Sequence, residues 1–115
     1  MIWLWRAFLN SWSGLRSAAA SERGVRLELG LLAVGVPLAL ILGAHLWVSV
    51  ALIASLALML AAELLNTAIE ALCDHLTPVR HPKIGLVKDL ASAGAFVTQG
   101  IAAMVWVCAV VDRIW

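Results

Sequence analysis

The chain has 115 residues, 63% of them hydrophobic and only 13% charged, with a formal net charge of +1 and a mean hydropathy of +0.99. A domain this small buries only about two-thirds of the surface its unfolded chain exposes, so a water-soluble fold could not hide this much apolar side chain. The near-zero charge gives no basic surface for nucleic acid. Two cysteines on separate apolar segments, Cys73 and Cys108, argue against a disulfide framework.

In chain order, residues 1–21 come first. At ~100° per residue, Trp5, Phe8, Leu9, Trp12 and Leu15 fall on one face and Arg6, Asn10, Ser13 and Ser17 on the other. This predicts an amphipathic helix lying on the membrane surface, as an anchor or as part of a working site. Arg6, Arg16, Glu22, Arg23, Arg26 and Glu28 are scattered through this region. A cleaved targeting segment has no such scatter, so the region is expected to remain in the mature protein.

From Leu29 to Ala62 no residue carries a formal charge. One helix over that run would be ~50 Å long, against a hydrocarbon core of ~30 Å. Two spans with a tight turn at Gly43, Ala44 and His45 resolve the excess. The first is expected over 27–43, with Pro37 tolerated inside it. The second is expected over 46–74, with Trp47 at the interface and a cytoplasmic extension at its end. Thr77 to Lys88 is expected to be a polar loop, broken by Pro78, Pro82 and Gly85, and a third span is expected over 89–111. All Lys and Arg residues except Arg113 lie before Leu29 or between Arg80 and Lys88. The positive-inside rule then puts the N-terminus and the polar loop in the cytoplasm and the C-terminus outside. The expected fold is an all-α membrane protein, a surface helix followed by three transmembrane helices.

The segment Ala62–Asp74 reads AELLNTAIEALCD. On a helix, Glu63, Asn66, Thr67, Glu70 and Asp74 share a stripe about 100° wide, while Leu64, Leu65, Ile69 and Leu72 take the other sides. Charged groups at membrane depth cost at least ~2.5 kcal/mol each. One such group could be explained as glue between helices. Three acids and an amide ask for more: a proton or cation pathway, or metal-assisted chemistry at the membrane surface. The row climbs towards the cytoplasm, which suits a reaction where a lipid group meets a water-soluble one.

Other polar residues belong to the same layer. Glu22 and Arg26 are four apart, as on one face of a helix entering the membrane, where an ordinary ion pair is the plain alternative. Lys88 and Asp89 open the third span, with Ser92 one turn on, and could equally be a solvated helix start. Neither a Walker-type glycine loop nor a Rossmann fingerprint occurs in the sequence. A nucleotide would have to be held by side chains at helix ends.

These residues resemble a known family. Glu63, Asn66, Thr67, Glu70 and Asp74 at these spacings match the signature of the small prokaryotic diacylglycerol kinases. The match extends to Lys88-Asp89 and upstream to the Ser11–Arg16 and Glu22–Glu28 segments, and so covers nearly the whole chain. The resemblance implies a homotrimer in the bacterial inner membrane with active sites between subunits. It implies transfer of the γ-phosphate of ATP, with Mg2+, to the hydroxyl of a membrane lipid. It makes Glu63 the general base and a lipid contact, with Glu22 and Glu70 holding magnesium and contacting the nucleotide. Asn66, Lys88 and Asp89 would position phosphates and nucleotide. Ser11 and His81 would line the nucleotide side, Arg26, Glu28 and Ser92 the lipid side, and Asp74 one or the other.

The chemistry agrees with general requirements. Phosphoryl transfer needs positioning, charge neutralisation and a group to orient the nucleophile, and magnesium takes one or two carboxylates plus phosphates. Glu63, the deepest acid of the row, suits the base. Three departures from the family pattern stand out: Cys73 replaces a usual Val, Trp3 stands where relatives carry a basic residue, and His81-Pro82 resembles a sister branch acting on undecaprenol. Ser92 resembles the diacylglycerol branch, which is the expected one. A small proton-coupled multidrug transporter shares the size and an intramembrane Glu, but usually has four spans.

Overall fold

The computed structural model describes residues 1–76 and 81–115, and forms four helices: α1 (Ile2–Ser21), α2 (Arg23–Leu42), α3 (Leu46–Leu76) and α4 (Pro82–Ile114). The last three are long and apolar enough to cross a membrane. Helices are what such sequences must form in lipid, where every backbone N–H and C=O has to find its partner within the segment. Helix α2 runs through Pro37 without ending.

Helix α3 is the centre of the fold. It packs against both α2 and α4, which barely touch each other. The core is Leu56 and Met59 of α3 with Ala102 of α4, flanked by Leu32 and Trp106. Gly35 of α2 leaves the space that the Leu56 side chain and the Trp106 ring occupy. The Trp106 indole Nε1 donates to the Leu52 carbonyl at 3.2 Å, pinning α4 to α3. Residues 43–45 separate α2 from α3, and the Ser49 hydroxyl donates back to the Ala39 carbonyl at 2.8 Å.

The other end of α2 is a corner. Glu22 is extended (φ −117°, ψ 120°) between α1 and α2. Arg26 donates to the carbonyls of Ala19 at 2.9 Å and Ala20 at 3.2 Å. A cation on the terminal carbonyls of α1 satisfies acceptors that have no helical partner and meets the negative end of the helix dipole. The expectation that Glu22 and Arg26 lie within one helix is corrected in part: Glu22 caps α2, its carbonyl accepting from the Arg26 N–H at 3.2 Å. The helix breaks at Glu22, and Arg26 serves the end of α1. No residue of α1 is buried, and Trp5 and Phe8 stack with their rings 5.6 Å apart.

A second correction concerns the loop expected to run to Lys88. Residues 77–80 lie outside the described part, but Pro82 already opens α4, so Lys83, Gly85 and Lys88 are helical. Proline breaks a helix from within and favours its first position, where its missing N–H costs nothing. His81 caps that start, its Nδ1 accepting from the Lys83 N–H at 3.2 Å. Helices α3 and α4, of 31 and 33 residues, are therefore about 46 and 50 Å long. Both exceed a ~30 Å hydrocarbon core, and the longest dimension of the chain is 52 Å.

One face of α3 is covered by neither neighbour. Ala51, Ala54, Leu58, Ala61, Leu65, Ala68 and Leu72 are all exposed, at alternating steps of three and four. That is the heptad spacing of a helix–helix seam.

Candidate active site

The acid row occupies the C-terminal half of α3, a helix longer than a hydrocarbon core is thick. Glu63 is half-buried, with its carboxylate against the backbone of Gly24 on α2: a Cβ added to Gly24 would lie 2.8 Å from Glu63 Oε1. A glycine at this point lets the corner of α1 and α2 close onto the row. Glu22 is two residues away, half-buried.

One turn further, Asn66 is buried, and its Nδ2 donates to Glu70 Oε1 at 3.4 Å. Its Oδ1 is buried with no hydrogen-bond partner. Asp74 accepts from Lys88 Nζ at 2.8 Å, the one ion pair among the described residues, with both side chains largely solvated. At ~1.5 Å per residue, Glu63 and Asp74 stand ~16 Å apart along the helix.

The most buried carboxylate is not on α3. Glu28 of α2 is 6% exposed and its Oε2 has no hydrogen-bond partner. Its polar neighbours are Glu63 and the amide of Gln99 on α4. The sequence placed Glu28 near a lipid pocket but gave no sign that it faces Glu63, since the two lie on different helices. Gln99 was missed altogether. A lone amide in an apolar helix was its only signal, and such a residue is usually helix glue.

The remaining candidates are more dispersed. Ser11 is exposed, and its hydroxyl bonds the Ala7 carbonyl of its own helix at 2.8 Å. His81 caps α4, and Asp89 and Ser92 lie exposed on its first turns. Among the described residues, no three His, Cys, Asp or Glu side chains cluster as a ready-made metal site. Magnesium does not require one, because it keeps waters and takes substrate phosphates as ligands alongside one or two carboxylates. Glu70, oriented by Asn66 beside a buried acceptor with no partner, fits that kind of half-built site.

The fold and this layer define a class: a helical membrane protein whose spans end, on one side, in a cluster of acids, an amide and a lysine. The sequence model of the prokaryotic diacylglycerol kinase family matches residues 9–110. The diacylglycerol kinase of Haemophilus influenzae is 36% identical over 96 residues, which are 84% of this chain and 81% of that protein. Those of Escherichia coli K12 and Pseudomonas aeruginosa are each 34% identical over 96 residues, again 84% of this chain, covering 79% and 78% of their lengths. The chain belongs to the prokaryotic diacylglycerol kinase family. It is accordingly a membrane-bound kinase, with ATP as its co-substrate.

Proposed function

We propose that this protein transfers the γ-phosphate of ATP to the primary hydroxyl of diacylglycerol, giving phosphatidic acid and ADP at the cytoplasmic face of the bacterial inner membrane. The observation that carries this reading is Glu63 seated against Gly24, with Asn66, Glu70 and Asp74 following it along α3 to the end that meets Lys88. The distribution of Lys and Arg supports the orientation, with the N-terminus and the start of α4 inside and the C-terminus outside. Helix α1 then lies along the inner leaflet, its aromatic residues in lipid.

In this mechanism the lipid hydroxyl approaches Glu63 from the membrane side. Its oxygen attacks the γ-phosphorus in line with the departing ADP oxygen while Glu63 takes the hydroxyl proton. Lys88 offers its ammonium to the phosphates, exchanging Asp74 for them, and Asp89 stands beside it. Asn66 holds Glu70 in one rotamer. Glu22 and Glu70 would hold magnesium, which when bound neutralises phosphate charge. Ser11 and His81 lie on the nucleotide side, and Arg26, Glu28 and Ser92 towards the lipid.

The active unit in this proposal is a homotrimer with sites shared between chains. The exposed Ala/Leu heptad face of α3 supports it, because alternating small and large residues let membrane helices approach closely. The test uses purified protein in mixed micelles with MgATP, offering diacylglycerol and undecaprenol separately. Transfer to diacylglycerol is expected, transfer to undecaprenol alone would move the chain to the sister activity, and transfer to neither would refute the proposal. Glu70→Gln is expected to raise the magnesium concentration needed for half-maximal rate, and an unchanged requirement would remove Glu70 from the metal site.

A further inference from the structure

Between α2 and α4, which hardly touch, runs an apolar cavity of about 360 Å³. Leu31 and Leu38 form one wall, Leu56 and Met59 the floor, and Trp106 closes the other wall. Gln99 is the only polar side chain in its lining, and it stands at the cytoplasmic end.

The register of the two long helices fixes what Gln99 is level with. Helices α3 and α4 run in opposite directions, and Asp74 meets Lys88. Eleven residues from that contact along each helix lie Glu63 and Gln99. Eleven residues make three turns plus about 20° and ~16 Å of rise, so each residue lies on nearly the same face as its starting point. Asp74–Lys88 is thus one rung and the Glu63/Gln99 level another, with Glu28 reaching the second from α2.

Gln99 is exposed on the membrane surface of the chain. A primary amide has two N–H donors and one acceptor. One donor can answer the partnerless Glu28 Oε2, which leaves the other free at the mouth of the cavity. In hydrocarbon an amide with an unmet donor is costly, so a substrate able to supply the acceptor is favoured.

We propose that Gln99 is a specificity-determining residue that donates a hydrogen bond to an ester carbonyl of the lipid substrate, whose acyl chains occupy the α2/α4 cavity. Resting on the lipid-kinase reading, this names the substrate as an ester lipid. In diacylglycerol an ester carbonyl lies a few bonds from the free hydroxyl, so Glu63 can take the hydroxyl while Gln99 takes the carbonyl. A polyisoprenol carries no acceptor besides its hydroxyl and leaves the Gln99 donor unmet.

The experiment compares wild type with Gln99→Leu and the near-isosteric Gln99→Met, using a diacylglycerol, its dialkyl ether analogue without carbonyls, and undecaprenol. KM and kcat are measured for each lipid at saturating MgATP, together with the KM for MgATP and the melting temperature. Wild type is expected to show a lower KM for the ester than for the ether. Both variants should raise the ester KM roughly fivefold to tenfold, the worth of one hydrogen bond. The ether KM, kcat and the KM for MgATP should not move. An equal rise for ester and ether overturns the inference, as does a lower melting temperature with ester preference intact, which would make Gln99 helix glue. Preference for undecaprenol in the wild type also overturns it. No transfer to any lipid refutes the kinase reading itself, and this inference falls with it.

Discussion

The two halves of α3 treat buried polar groups in opposite ways. In the N-terminal half, Ser49 bonds the Ala39 carbonyl, Ser55 bonds the Leu52 carbonyl, and Trp106 adds its indole N–H to that same carbonyl. In the C-terminal half and beside it, Asn66 Oδ1 and Glu28 Oε2 are buried without partners, and Glu63 crowds the backbone of Gly24. An unmet buried polar atom costs about 1–3 kcal/mol, and proteins tolerate such costs mainly where function uses the group. The N-terminal half holds the helices together, while the C-terminal half carries the polar atoms that the proposed site would use.

Substitutions can break that contrast. The largest effect is expected from Glu63→Gln, which keeps shape and hydrogen bonding but removes the base. Turnover should fall by about 10²–10⁴-fold, while nucleotide binding in a titration stays near wild type. A variant that keeps its rate would show that the C-terminal half serves some other purpose.

Gly24→Ala sets the halves against each other within one residue. Alanine favours a helix over glycine by about 1 kcal/mol, yet its methyl would push the Glu63 carboxylate aside. We expect kcat to drop about tenfold or more, because small misplacements at a reacting group are expensive, with the melting temperature unchanged or higher. Loss of both rate and stability would make Gly24 a packing residue only.

Trp106→Phe is the converse beside the N-terminal half. It removes the bond to Leu52 and should cost about 0.5–1.5 kcal/mol of stability. It should leave kcat per folded molecule unaltered, as checked by unfolding in detergent alongside the assay. The smallest effect is expected at the solvated pair. Asp74→Asn should shift the KM for MgATP by no more than about threefold and leave the melting temperature nearly constant, because exposed ion pairs contribute little.

What could be read in the sequence follows the same division. The uncharged run from Leu29 to Ala62 is a one-dimensional signal, and so is the polar stripe from Glu63 to Asp74. Both depend on spacing within one helix. The approach of Glu28 to Glu63 and Gln99 depends on how three helices pack, and no spacing within any one of them records it. Pro82 was misread because proline both ends helices and begins them, and the His81 cap decides between the two only once its geometry is known. Nothing in the sequence marks Glu22 as a corner, so the bonds from Arg26 to the end of α1 could not be read from it.

The early start of α4 has a mechanical consequence. Because the helix is continuous from Pro82 to Ile114, Lys88 and Gln99 belong to one rod with no hinge between them. If Lys88 meets a phosphate as proposed, the contact can shift or roll the rod, but it cannot move that end alone. Had the helix begun at Asp89, as the sequence suggested, Lys88 would have been tethered by loose chain and free of the membrane. On the proposed mechanism, the nucleotide and lipid ends of the site then keep a fixed separation, like the jaws of a calliper.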